Sequence, residues 1–157
     1  MFYITLFAAT QGIENIGLFF TAYAVTIIIT RPIAGLIIDR KGYDYVLIVS
    51  MLFFGLALII LAFADRLSLI IICAIISGLG VGNIFPIMQV LALKDISYNR
   101  RGAASSTFFN AFDLGIGFGS MLWGVVSQYS GYSFMYLFAV LPVIAALIYY
   151  VKSNNLA

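Results

Sequence analysis

The stretch "RPIAGLIIDRKGYDYVLIV", Arg31 to Val49, places a short charged turn between two long apolar runs. Asp39 can accept hydrogen bonds from the N-terminus of an opposing helix, and Arg40 and Lys41 can anchor the turn at anionic lipid headgroups. Gly35 would let a neighbouring helix approach closely. The stretch therefore predicts two membrane helices that are joined at one surface of a bilayer.

The composition of the chain extends this prediction to its whole length. Of 157 residues, 64% are hydrophobic and 9% are charged, whereas soluble domains are about 45–50% apolar and about 25% charged. A core of this size could not bury so many apolar side chains, so much of the surface must face lipid. The net charge is only +2 and the basic residues are dispersed, which argues against a nucleic-acid partner.

The chain lacks the residue types of common catalytic and metal sites. It has no histidine, and its one cysteine, Cys73, lies inside an apolar run. These facts exclude His/Cys metal sites, Ser-His and Cys-His catalytic pairs and an intramolecular disulfide. We expect no enzyme activity, no cofactor and no metal, and we expect Cys73 to be a packed helix residue.

Five segments have the length and apolar character of membrane helices, which need about 20 residues each. They cover about residues 15–38, 45–64, 67–92, 103–127 and 132–151. The segment 103–127 is the weakest, because Asp113 costs about 2.5–3.5 kcal/mol at the centre of a membrane helix. We expect it to need neighbouring helices to stay in the membrane. The predicted fold class is an all-α polytopic membrane helix bundle.

Residues 1–10 are apolar, but as a helix they would cover about 15 Å, which is half of a bilayer core of about 30 Å. They look like the end of a helix that begins upstream. They do not resemble a signal peptide, because no basic region precedes the apolar stretch and no small-residue cleavage site closes it.

Lysine and arginine are distributed unevenly over the connections between the predicted spans. Only Arg66 falls on one side of the membrane, and seven basic residues fall on the other: Arg31, Arg40, Lys41, Lys94, Arg100, Arg101 and Lys152. The positive-inside rule places these seven residues, and with them the C-terminus, in the cytoplasm.

The charged turn also contains a motif of one glycine, three residues and then Asp-Arg-x-Gly, formed by Gly35, Asp39, Arg40 and Gly42. This motif resembles the cytoplasmic loop motif of the major facilitator superfamily. The stretches "GLFFTAYAVTIIITRPIAG" and "RRGAASSTFFNAFDLGIGFGSMLWG" are similar to the eighth and eleventh helices of such transporters. The family often has a further basic pair after the last glycine, where this chain has Tyr43 and Asp44. An ordinary positively charged turn is the alternative.

The resemblance covers essentially the whole chain and implies an architecture. Residues 1–10 would be the end of helix seven, and the five spans would be helices eight to twelve. Family members have twelve helices in two halves, each built from inverted three-helix repeats. Residues 1–157 would then be most of the C-terminal helical bundle, with the N-terminal half absent.

The resemblance also implies a function. It predicts part of a multi-pass secondary transporter in a bacterial plasma membrane, proton-coupled and working by alternating access. The most similar family members are efflux proteins for drugs or sugar derivatives, which favours export of a small organic molecule. Its partners would be the lipid bilayer, the substrate, protons and the missing half, and the chain alone should be inactive. The alternative is a half-size or non-transporting membrane subunit that assembles with a partner half.

Two adjacent spans carry stripes of small or polar residues. Intervals of four and three place these residues on one face of the span 103–127: Ser106, Asn110, Asp113, Gly117, Ser120 and Gly124. In the preceding span, Gly78, Gly82, Pro86 and Gln89 share a sector, with Asn83 near its border. Neither glycine run follows a strand in a βαβ unit, so we do not expect a phosphate loop.

The stripes either join helices or line an aqueous path. We expect helix packing at the glycines, with Gly115 and Gly119 as a small-xxx-small pair; the full set is Gly78, Gly82, Gly115, Gly117, Gly119 and Gly124. We expect the polar side chains to line a substrate or proton pathway. That set is Asp113, Asn110, Asn83, Gln89 and Arg31.

Asp113 lies about 15 Å along its helix from the cytoplasmic end, which is close to the bilayer midplane. A carboxylate at this depth should find a partner or take up a proton. Arg31 is a candidate partner, because it lies inside its own helix and could reach deeper or snorkel outward. Three roles remain open for Asp113: a structural ion pair, a proton or substrate site, and a cavity wall.

Overall fold

The computed structural model describes residues 3–13 and 15–154, and all of its regular elements are helices. The order is α1 (Ile4–Thr10), α2 (Gly17–Lys41), α3 (Tyr43–Ala62), α4 (Leu67–Leu93), a short 3-10 turn (Tyr98–Arg100) and α5 (Arg101–Asn154). The predicted all-α membrane fold class is confirmed. Of the partial helix expected over residues 1–10, Met1 and Phe2 lie outside the described residues.

Among the described residues, four helices, α2 to α5, are long and apolar enough to cross a membrane. The last of them, α5, is interrupted at Gly131. It covers the region of two predicted spans, 103–127 and 132–151. Gly131 has φ 78° and ψ 166°, a conformation that only glycine adopts without strain. We refer to residues 101–130 as α5a and to residues 132–154 as α5b.

Two clusters of buried apolar side chains show that successive helices run in opposite directions. The first cluster joins α1 to the start of α2, the end of α3 and the starts of α4 and α5b, through Phe7, Phe19, Leu61, Ile70 and Tyr136 among others. The second joins the end of α2, the start of α3 and the end of α4, through Ala34, Leu47 and Ile87, and Tyr150 packs against it. We call these the Gly131 end and the Gly42 end of the molecule.

The connection at the Gly42 end is short because one glycine both ends α2 and begins α3. Gly42 has φ 84°, and its N–H donates to the carbonyl of Ile38 at 2.8 Å. The turn therefore leaves no free loop between the helices, and it brings Arg40 and Lys41 to the same end of the molecule as Lys152 near the C-terminus.

Helix α4 is the central helix, because its glycines let two neighbours approach closely. A Cβ atom on Gly78 or Gly82 would lie 2.7 Å from Thr26 or 2.9 Å from Ile27 of α2. On the opposite side, a Cβ on Gly80 would lie 2.7 Å from the carbonyl oxygen of Ser50 in α3. The packing of α2 and α3 against α4 thus depends on the absence of side chains at these positions.

The contact at Gly80 generates a stability prediction. Gly80→Ala would push its Cβ against the α3 backbone, which cannot move as a side chain can, so we expect the free energy of unfolding to fall by about 1–3 kcal/mol. Reversible unfolding in mixed detergent micelles measures this change. Gly55→Ala is the matched control, because its Cβ would meet only Val143 at an ordinary 3.8 Å. Equal stability of the two variants would contradict the proposed packing.

Candidate functional site

Helix α5a is only partly covered by the other helices along its central part. Every residue from Phe109 to Phe118 is exposed, although the sequence places them inside a membrane span. Residues of this helix line three open cavities. One of them lies on a face with polar residues, and the other two lie on a face with aromatic residues.

The polar face of α5a contains Asp113. Its open groove of about 570 Å³ is lined by Asn110, Asp113, Leu114, Gly117, Phe118 and Met121. All of these residues belong to α5a, so the groove opens away from α2, α3 and α4 rather than between helices of this chain. The carboxylate of Asp113 and the amide of Asn110, one turn apart, are the polar groups that this groove offers.

The other three predicted pathway residues share a second cavity. Arg31 of α2 and Asn83 and Gln89 of α4 line a space of about 420 Å³, together with Gly35 and Pro86. The five predicted residues are therefore brought together in two groups, one between α2 and α4 and one on the polar face of α5a.

The side chains in these two groups differ in how their polar atoms are satisfied. Asn83 is buried, and its amide donates to the carbonyl of Leu79 in the same helix at 3.0 Å. Arg31 and Asp113 are exposed, and no salt bridge joins them within the part of the chain that the structure describes. The structural ion pair considered for Asp113 is thus not formed with Arg31 in this structure.

The glycines of α5a fall into two classes. A Cβ on Gly115, Gly117 or Gly119 would meet nothing within 4 Å among the described atoms, so the close helix contact expected at Gly115 and Gly119 is not made here. A Cβ on Gly124 would lie 2.7 Å from the hydroxyl of Tyr3. The stripe from Ser106 to Gly124 therefore packs against Tyr3 at Gly124, its end nearer to Gly131. At Gly117 it makes no such contact among the described residues.

The aromatic face of α5a was not predicted from the sequence. The rings of Phe108 and Phe112 lie 5.7 and 4.7 Å from the ring of Phe85 in α4, measured between centroids. With Phe54 of α3 and Met88 of α4, these rings line an apolar cavity of about 500 Å³. The four-residue spacing of the two α5a phenylalanines is a helical signal, but it does not reveal which helix they face.

The loop motif lies exposed at the Gly42 end. Asp39 and Arg40 are exposed, and a Cβ on Gly35 would meet nothing within 4 Å. Asp44, which stands where the resembling family often has a basic residue, accepts a hydrogen bond from the hydroxyl of Tyr150. The start of α3 is thereby tied to the end of α5b, while Asp39 and Arg40 remain available to a partner.

The exposed polar groups of this arrangement can bind a small molecule. Within residues 3–13 and 15–154, no group of three or more His, Cys, Asp or Glu side chains is placed to hold a metal ion. A carboxylate beside an amide on an open face can bind a proton or a cationic or hydrogen-bonding group of a small molecule.

Comparison with known proteins adds the family. The sequence profile of the Major Facilitator Superfamily matches residues 1–155. An uncharacterised MFS-type transporter of Pseudomonas aeruginosa is 30% identical over 145 residues, which are 92% of this chain and 36% of the relative. The uncharacterised MFS-type transporter YhhS of Salmonella enteritidis is 29% identical over 149 residues, covering 93% of this chain and 36% of the relative.

A relative with lower identity is similar over almost the whole chain. An uncharacterised MFS-type transporter of Methanocaldococcus jannaschii is 23% identical over 156 residues, covering 98% of this chain and 40% of the relative. The chain therefore spans between 36% and 40% of the length of these curated relatives.

Proposed function

The chain belongs to the major facilitator superfamily of membrane transporters, and we propose that it forms part of a proton-coupled secondary transporter that exports a small organic molecule by alternating access. Its fold, its multi-pass membrane character and its role in transport follow from the family. Proton coupling, the direction of transport, the missing partner half and the roles of individual residues are our proposals.

The observation that carries this proposal is the orientation of Asp113. The groove that contains it is lined by α5a alone and opens away from the rest of the chain. An aspartate at the centre of a membrane helix costs about 2.5–3.5 kcal/mol on insertion scales, so contact with acyl chains is disfavoured. We infer that this face is turned toward water and toward the part of the transporter that this chain does not include.

The exposed carboxylate suits a proton carrier. Transporters of this kind place their sites near the bilayer midplane and open them to each side in turn. Asp113 has no salt-bridge partner in the described residues. We assign proton binding to Asp113 and a substrate contact to Asn110, one turn away.

The second cavity offers further polar groups, which we propose also contact the substrate. Arg31 and Gln89 line it with atoms that can bind a substrate, whereas the amide of Asn83 is already bonded within its own helix. We therefore assign substrate contact to Arg31 and Gln89, and a mainly structural role to Asn83 in this conformation.

The exposed loop motif suits a docking role during the conformational change. Asp39 and Arg40 make no salt bridge within the described part of the chain. Asp39 can accept hydrogen bonds from the N-terminus of a helix in the missing half, and rocking of the two halves would make and break this contact.

The orientation in the membrane follows from the basic residues. The connections that carry Arg40, Lys41, Lys94 and Arg100 lie at the Gly42 end, whereas Arg66 lies at the Gly131 end. We propose that the Gly42 end, with the C-terminus, faces the cytoplasm of a bacterial cell. We propose export because the sequence stretches quoted above look similar to those of drug and sugar-derivative efflux proteins.

The role of Asp113 is testable in the complete transporter. We expect Asp113→Asn to reduce pH-gradient-driven transport by about tenfold or more, because an amide cannot bind and release the coupled proton. Proteoliposomes with an internal pH-sensitive dye, and a transported compound found by screening, give the measurement. Asp95→Asn is the matched control, since Asp95 is exposed in the connection between α4 and α5. Unchanged coupling in Asp113→Asn would leave this residue without the proposed role.

A transport assay on the 157-residue chain alone distinguishes part of a transporter from a half-size transporter. We expect the reconstituted chain to show no transport, because alternating access needs two halves that move around a central site. The measurement compares uptake of the same compound into proteoliposomes that contain the short chain or the complete protein. Saturable transport by the short chain would favour self-assembly of a half-size transporter.

A further inference from the structure

The cavity between α2 and α4 holds a positive charge that no acidic side chain of the described residues balances. Arg31 lies ten residue steps, about 15 Å, from the end of α2 at Lys41, so its backbone is deep in the membrane span. A charged side chain at this depth requires water or a partner, because hydrocarbon disfavours it. In this chain Arg31 lines a cavity of about 420 Å³, and it forms no salt bridge within the described residues.

The other polar groups of this cavity are neutral. Its lining includes Asn83, Gln89 and Tyr43, whose side chains carry amide or hydroxyl groups, and no Asp or Glu of the described residues lines it. The amide of Asn83 is already bonded within its own helix, whereas Gln89 and Tyr43 bring further groups that can donate hydrogen bonds. The cavity therefore presents one cation and several hydrogen-bond donors.

The charge of Arg31 is separate from that of the aspartate in the middle of α5a. Asp113 lines a different groove, formed by α5a alone, and no salt bridge joins the two side chains within the described part of the chain. None of the described Lys or Arg residues lines the groove of Asp113. The structure thus separates a carboxylate, which suits a proton, from a guanidinium, which suits an anion.

The cavity around Arg31 has the size and the lining of a small-molecule site. Ligand pockets in proteins measure about 300–1,000 Å³, and the volume here is about 420 Å³. Apolar residues complete the lining, among them Phe85 and Ile87. A Cβ on Gly35, which also lines the cavity, would meet nothing within 4 Å among the described atoms. A ligand with an anionic head and an apolar body fits this combination of groups.

We infer that the transported substrate is an organic anion, whose oxyanion group (a carboxylate, phosphate or sulfonate) binds to Arg31. The planar guanidinium can donate two parallel hydrogen bonds to such a group. Gln89 donates a further hydrogen bond, and the apolar body of the substrate lies against Phe85 and Ile87. This inference deepens the proposed function and rests on it, because it takes the chain to be part of a transporter with a substrate site between its helices.

An acidic side chain of the missing half would also balance the charge of Arg31. A single carboxylate side chain, however, would fill only part of the cavity and would leave Gln89 and Phe85 without a ligand. The two occupants differ in what they predict. A structural ion pair affects the stability of the protein but not its choice between compounds, whereas a substrate site gives a preference for anions over neutral compounds of the same shape.

Binding to the complete transporter tests the inference with compounds that share a shape and differ in charge. The probes are benzoate with benzamide, benzenesulfonate with benzenesulfonamide, and the cation trimethylphenylammonium. The rise of the thermal unfolding midpoint with the concentration of each probe gives its dissociation constant. We expect each anion to bind at least about tenfold more tightly than its neutral amide, because only the anion forms charge-assisted hydrogen bonds with Arg31.

Variants of Arg31 identify the group that recognises the anion. Arg31→Gln should abolish the preference for the anion over its amide, and Arg31→Lys should keep part of it, since lysine retains the charge without the planar fork. If Arg31→Gln does not fold, the partial loss in Arg31→Lys decides in its place. Arg66→Gln is the matched control, because Arg66 is exposed in the connection between α3 and α4. It should leave the preference unchanged.

The inference is supported if the anions bind more tightly than their amides and this preference is lost in Arg31→Gln. Anions that bind no better than their amides, a preference that survives in Arg31→Gln, or binding of trimethylphenylammonium alone would each overturn it. Transport assays in proteoliposomes separate this inference from the proposed function. If only cations or neutral compounds are transported, the inference fails and the proposed function stands. If nothing is transported although the anions bind through Arg31, the proposed function fails and the anion site remains.

Discussion

An aspartate in the middle of a membrane span must be kept away from acyl chains, and the rest of the molecule depends on this constraint. In this chain, α2, α3 and α4 do not shield Asp113, because the groove around it is formed by α5a alone. The polar face must then be covered by water or by further protein. This constraint is the reason for the proposal that the chain is one side of a larger transporter.

The most closely packed part of the chain is the group formed by α2, α3 and α4. Three glycines, Gly78, Gly80 and Gly82, bring α2 and α3 against α4 so closely that added methyl groups would clash. Close contact of this type is a main source of helix association in lipid, where the hydrophobic effect does not drive helices together. In the transport mechanism proposed above, this closely packed group of helices would move as one body.

Much of this could be predicted from the sequence, since apolar runs of about 20 residues and a charged turn specify membrane helices and their order. Helical spacing placed Asn110, Asp113 and Gly117 on one face of α5a, and these three residues line one groove. The direction of that face could not be predicted, since spacing does not say how a helix is rotated against its neighbours. For the same reason the sequence did not predict that Asn110 and Asp113 lie apart from Arg31, Asn83 and Gln89. It also did not predict the contacts of Gly80 and Phe85.

The rate at which water-soluble reagents reach the polar face tests its orientation most directly. In the complete protein in lipid bilayers, Asn110→Cys would be treated with a charged methanethiosulfonate, with Ile148→Cys on exposed α5b for comparison. If the face opens to water, Asn110→Cys should react at least about tenfold faster, because the reactive thiolate forms in water and not in hydrocarbon. Native Cys73, which is fully buried, provides the unreactive reference in both variants. Equal, slow reaction of Asn110→Cys and Ile148→Cys would show that the face of Asp113 is turned to lipid, contrary to the arrangement described above.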